Sequence, residues 1–133
     1  MTTRRVFIQA GAALSAAPAL AVSRSALAAA PAGQVRLAVF DERFAAARAF
    51  AAEAARKGWP LAAIRGDITD LWFHDLSRRW AKDAAPVAGM TIGQSLFCLE
   101  RLAWDAGLRV ITRETHPNAG GLVSWVIARR RPA

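Results

Sequence analysis

Val35-Arg36-Leu37-Ala38-Val39-Phe40-Asp41 runs straight into Glu42-Arg43-Phe44-Ala45-Ala46-Ala47-Arg48-Ala49-Phe50, and that junction decides the fold. The first run is apolar, of strand length, and closes on an acid. Beyond it, Phe44, Ala47, Ala51 and Ala54 recur at the three-to-four spacing of one helix face, and Ala, the best helix former, dominates. The spacing predicts a helix over 42–57, capped by Asp41 and ended by Gly58. A second short apolar run follows at 60–65, and Gly66-Asp67 marks a turn. Strand, helix, strand within thirty residues reads as a βαβ unit.

The same alternation continues outward. Trp72, Leu76 and Trp80 fall on one stripe of a helix predicted over 69–83, opposite Asp70, His74 and Arg78. A third strand is expected at 86–91 and a third helix at 93–106, stopped by Gly107. That helix is apolar around most of its circumference: Leu96, Leu99 and Ala103 on one side, Phe97 and Trp104 on another. Burial on two sides is the expectation, with Cys98 a small buried hydrophobe and Trp72, Trp80, Trp104 and Trp125 in the core, while Trp59 at a turn could line a surface. Strands at 109–114 and 122–129, joined by a loop rich in turn residues, should form an antiparallel hairpin. The predicted fold class is α/β: a small three-layer domain with a mostly parallel sheet. Its order is β-α-β-α-β-α-β-β, with right-handed crossovers and a C-terminal antiparallel hairpin.

Composition sets the bounds. The chain has 133 residues, which fits one domain. Hydrophobic residues make up 54% and charged ones 21%, which excludes a disordered chain. A single Cys excludes an intrachain disulfide and a four-Cys zinc site. No cofactor is evident from any motif. The formal charge of +8 overstates the basicity of the folded part. Residues 1–33 carry Arg4, Arg5 and Arg24 with no acid, and the tail adds Arg129, Arg130 and Arg131.

The N-terminal segment has a different character from the rest. Thr2-Thr3-Arg4-Arg5-Val6-Phe7-Ile8-Gln9 is a short basic head, followed by a modestly apolar Ala/Gly-rich stretch and then small residues. Ala26-Leu27-Ala28 is an A-x-A cleavage signature. The apolar stretch is short for a membrane anchor and is interrupted by Pro18. Residues 3–9 resemble the twin-arginine (Tat) export motif: Arg4, Arg5, Phe7 and Ile8 fall in place, and Gln9 stands where that family often has Lys. The resemblance implies a signal over 1–28 cut after Ala28, a linker at 29–33 and a mature domain over 34–131. It implies a periplasmic destination and the Tat machinery as a transient partner, with membrane contact only during export. A further version makes this a small subunit whose signal carries a larger co-exported protein. Export argues against a nucleic-acid partner.

Candidate site residues follow from the fold. Open α/β sheets bind ligands outside the carboxyl ends of their parallel strands. Those ends carry Asp41, then Gly66 and Asp67, then Thr91 with Gly93 and Ser95. Carboxylates meeting hydroxyls at a helix start suit a cation or a polar ligand, whereas the same residues also serve as helix caps. His74 lies on a polar stripe, and His116 falls in the hairpin loop without a Ser or Cys at a known spacing. The sequence therefore leaves three readings: an accessory or binding module, a small metal-assisted hydrolase, and a solute-binding domain.

Overall fold

The computed structural model describes residues 35–130. Arg4, Arg5, Phe7, Ala26 and Ala28, on which the expected export signal rests, and the last three residues lie outside that range. The elements run β1 (Leu37–Asp41), α1 (Ala45–Arg56), β2 (Leu61–Ile64), α2 (residues 69–82), β3 (Val87–Thr91), α3 (Gly93–Asp105), β4 (Arg109–His116) and β5 (Leu122–Ala128). They form a mixed α/β domain around one five-stranded sheet, ordered β2-β1-β3-β5-β4.

The sheet is less parallel than the sequence suggests. β1 pairs in parallel with β2 and β3, but β5 pairs antiparallel with both β3 and β4. The alternating pattern placed the hairpin as an appendage. Instead its second strand is inserted beside β3 and its first becomes the edge. Side-chain chemistry explains the swap. All seven residues of β5 are apolar or small and all are buried, as an inner strand requires. β4 carries Arg109, Arg113 and Glu114, which tolerate only an edge.

Two apolar clusters lie on opposite faces of the sheet. Ala38, Ala88, Met90 and Val126 pack with Ala47, Phe50 and Ala54 of α1. Leu37, Val39, Val87, Trp125 and Ile127 pack with Leu76 and Trp80 of α2 and Leu96, Leu99 and Ala103 of α3. Right-handed crossovers account for this split. The chain travels one way from β1 to β2 and the other way from β2 to β3, so the two connecting helices land on opposite faces.

Three local expectations change. α1 begins at Ala45, not at 42, and Phe44, in extended conformation, flanks its start without a side-chain cap. Asp41 does not cap the helix because its carboxylate is taken by Arg43. α2 contains a π-helical segment, Trp72–Leu76, and the Trp72 and Trp80 rings meet edge-on at 6.0 Å. α3 buries one side only. Phe97 is 60% exposed and Trp104 46%, and Cys98 is exposed rather than buried. α3 lies over β5 and β4, and nothing among the described residues continues the sheet past β4 to cover that flank.

Gly89 is the tightest point of the core. It pairs with Trp125 across β3 and β5, and the Trp125 ring folds over it. A β-carbon at Gly89 would sit 2.2 Å from Trp125 Cζ2. The indole is fully buried, and its Nε1 donates to Thr91 Oγ1 at 3.1 Å.

Candidate functional site

The reversal of travel at β1 places a topological switch point between the carboxyl ends of β1 and β3. Asp41 ends β1 and Thr91 ends β3, and both are fully buried. In most open sheets this crevice receives a ligand. Here the protein's own side chains close it.

Arg43 sits two residues beyond Asp41 and turns back on it. Its Nε donates to Oδ1 at 2.9 Å, its Nη2 to Oδ2 at 2.7 Å, and its backbone N–H to Oδ1 at 3.2 Å. This forked pair holds both carboxylate oxygens. Burial pushes the Asp41 carboxyl up, but the hydrogen bonds from Arg43 and the charges of Arg43 and Arg65 outweigh it. The net position is below the ordinary carboxylate value. Gly66 fits over the guanidinium: a β-carbon there would lie 2.8 Å from Arg43 Nη2, and its φ of +91° is one that L side chains rarely adopt.

Ser95 is buried in the first turn of α3, and its Oγ donates to the Gly66 carbonyl at 2.5 Å. This bond ties the β2–α2 turn to α3 across the end of β1. Thr91 Oγ1 donates to the Ile92 carbonyl at 3.0 Å and accepts from Trp125. Asp67 is exposed, and its Oδ1 accepts from the Thr69 backbone at 2.8 Å and from the Thr69 hydroxyl at 2.6 Å. Those bonds hold its carboxyl below the ordinary value. Gly93 opens α3 and is exposed.

Two open grooves flank the closed crevice. One, of about 370 Å³, is lined by Arg43, Arg65, Gly66, Asp67, Ser95 and Cys98, among others. It takes in Gly66, Asp67 and Ser95 of the expected set but not Asp41, Thr91 or Gly93. The other, of about 580 Å³, is lined by Glu42, Arg65, Asp67, Asp70, His74 and Asp75, with further apolar residues. His74 is exposed, and Asp75 is engaged by Arg79 four residues on. No cluster of three potential metal ligands occurs among the described residues.

One arrangement escaped the sequence reading. His116 ends β4 rather than lying in the loop, is buried, and shares a 2.8 Å hydrogen bond between its Nε2 and Ser124 Oγ. Glu114, not His116, is the direct partner of Ser124 in the ladder, so the contact is diagonal. Eight residues of separation across a hairpin carry no recognisable spacing, and only the register brings the two together. Ser124 is fully buried in an inner strand, so its hydroxyl has no route to a substrate. The pair acts as a lock between the two hairpin strands.

Burial lowers the His116 pKa, and the charge of Glu114 opposes this only in part. The unfolded chain therefore takes up a proton at a higher pH than the folded one. Stability should fall as pH drops below about 7 and level off once the folded site also protonates. Urea midpoints measured from pH 8 to 5 should show this slope, and His116→Gln should flatten it. An unchanged slope in the variant would assign the effect elsewhere.

Among the described residues no helix is long and apolar enough to cross a membrane. Comparison with protein-family models finds no match, and comparison with curated proteins finds no relative.

Proposed function

We propose that this chain is an exported, non-enzymatic binding module that acts as an accessory subunit in the periplasm. A Tat-type signal with Arg4, Arg5 and Phe7 delivers it and is removed after Ala28. The exposed flank of α3 carries the reading. Phe97 and Trp104 lie seven residues apart, on one side of the helix, and keep about half or more of their surface in water. Large aromatic side chains grouped on a surface mark a place where another molecule sits. The strand-end polar groups support the same reading, because Asp41, Asp67, Thr91 and Ser95 are each engaged by other groups of the protein. The Arg43 guanidinium against both Asp41 oxygens disfavours a cation there.

A second reading, a site for a small anionic solute, is favoured by Arg43 and Arg65 lining the 370 Å³ groove. Native isolation of the protein from periplasm, followed by mass spectrometry, separates the two. A companion chain should co-elute with the wild type and be lost from the Phe97→Ser/Trp104→Ser variant. A small acid bound equally to both proteins would favour the second reading. A monodisperse monomer carrying neither would refute both.

A further inference from the structure

We propose that β2 pairs with β2 of a second copy of this chain, antiparallel across a two-fold axis, so that the two sheets join into one. This surface is separate from the α3 flank, and the proposal does not rest on the binding-module reading.

β2 is an edge strand, and among the described residues it pairs only with β1. Its inner bonds fix which groups are left over. The Ala38 N–H donates to the Pro60 carbonyl at 2.8 Å, and the Glu42 N–H to the Ile64 carbonyl at 2.9 Å. Main-chain groups alternate in direction along a strand, so those of Pro60, Ala62 and Ile64 point to β1 and those of Leu61 and Ala63 point outward. Both outward residues are exposed, Leu61 by 43%. The N–H that Pro60 lacks belongs to the inner set, so the proline takes no donor from the outer edge.

Edges are ordinarily guarded by charge, by a bulge or by shortness. β4 has Arg109, Arg113 and Glu114 and an irregular register between Val110 and Thr112. β2, Leu61-Ala62-Ala63-Ile64, has only its shortness.

This edge fits itself. A two-fold axis normal to the sheet sets one residue opposite its own copy, and outward groups must meet outward groups. An axis through Ala62 achieves this inside the strand. Leu61 then lies opposite Ala63 of the second copy, and each such pair exchanges its N–H···O bonds. Ala62 faces Ala62, so large meets small and small meets small, with no like charges opposed. An axis through Ala63 would instead set Leu61 opposite Arg65, where the chain already bends back to bridge Asp67.

The two ends of the strand differ in charge, and this selects the occupant. Arg56 is paired with Glu53, Arg65 with Glu42, and Arg79 with Asp75. Lys57 at the amino end of β2, and Asp67 and Asp70 at its carboxyl end, have no ion-pair partner among the described residues. α2 returns toward the amino ends carrying Arg78 and Lys82 against Asp83, which adds to the basic side. The two-fold axis brings the Lys57 end of each copy to the Asp67 and Asp70 end of the other. A uniformly basic strand would meet Lys57, and a uniformly acidic one would meet the two aspartates. Parallel self-pairing would set each end against its like. A strand basic before and acidic after satisfies both ends, and β2 of a second copy is such a strand.

Sedimentation of the full chain should show a concentration-dependent dimer. Hydrogen exchange at Leu61 and Ala63 should slow as concentration rises, whereas Ala62 and Ile64, bonded to β1, stay slow throughout. Ala63→Pro removes an outward donor and no inner one, so it should give a monomer with an unchanged circular dichroism spectrum. Lys57→Glu and Asp70→Lys should each weaken the dimer at least about tenfold, and the double variant should self-associate more tightly than either single one. These two side chains are exposed, so this comparison decides the matter even if the proline variant does not fold. Phe97→Ser/Trp104→Ser should leave the dimer intact. A monomer at every concentration up to about 1 mM would overturn the proposal. So would a dimer that survives Ala63→Pro, a double charge variant weaker than both singles, or a dimer lost with Phe97→Ser/Trp104→Ser. The binding-module reading is judged separately, by whether a companion chain co-elutes.

Discussion

Gly89→Ala should be the most damaging small substitution in the domain. One added methyl group would lie 2.2 to 2.6 Å from three atoms of the Trp125 ring, which real β-carbon contacts do not reach. The indole has no free direction in which to retreat. It is fully buried between α3 and the sheet and pinned by its bond to Thr91. Overpacking of this kind costs about 3 kcal/mol or more when neither backbone can yield. A domain of this size holds only about 5–15 kcal/mol in total, so much of the margin disappears. Urea unfolding followed by intrinsic fluorescence measures the loss. Trp125→Phe removes the outer ring atoms that the methyl group meets. The double variant Gly89→Ala/Trp125→Phe should therefore be more stable than Gly89→Ala alone, despite losing the bond to Thr91. If Gly89→Ala melts like the wild type, the close approach of the ring to β3 is wrong.

Asp41→Asn should be the second. The amide keeps the shape of the carboxyl but loses its charge and one of its acceptor oxygens, so the fork with Arg43 cannot form. A fully buried polar group then loses its partner while a guanidinium at the crevice loses its counter-ion. Arg43 is 39% exposed, and water offsets part of the damage. The expected cost is about 2 kcal/mol, or roughly 10 °C in melting temperature for about 100 residues. Replacing both partners, Asp41→Asn with Arg43→Met, should recover part of it, because the guanidinium that lost its counter-ion is then removed as well. The pH dependence has a definite sign. The folded Asp41 carboxyl lies below its ordinary value, so its contribution is fully present above about pH 4. That contribution is lost as pH falls through the folded value. The wild type should thus lose stability on the acid side more steeply than Asp41→Asn. A variant as stable as the wild type would return Asp41 to the list of ligand-binding candidates.

Both results bear on the strand-end site. Carboxylates, hydroxyls and glycines at the ends of parallel strands were legible as a group, because element order alone places them there. Their employment was not. Asp41 reads as a helix cap or a ligand, yet it binds Arg43. Ser95 reads as a ligand contact, yet it fastens Gly66 to α3. Each pairing depends on where a group two or twenty-nine residues away comes to rest, and spacing along the chain does not encode that.

Local pattern determined a good deal. The period of apolar residues gave the eight main elements to within a few residues, because a helix face and a strand face impose different repeats. The inner character of β5 was present in its unbroken apolar run. The charged residues of β4 already fitted an edge, although the alternation of elements suggested otherwise. What local pattern cannot determine is which neighbour an element meets. α3 is apolar on two sides in sequence, and only one of those sides finds a strand beneath it. The other faces past β4, where no further strand among the described residues covers Phe97 and Trp104. A helix's own residues set how wide its apolar face is. The number of strands beside it sets how much of that face is covered. That is why the fold class could be read from the chain and the candidate docking surface only from the assembled molecule.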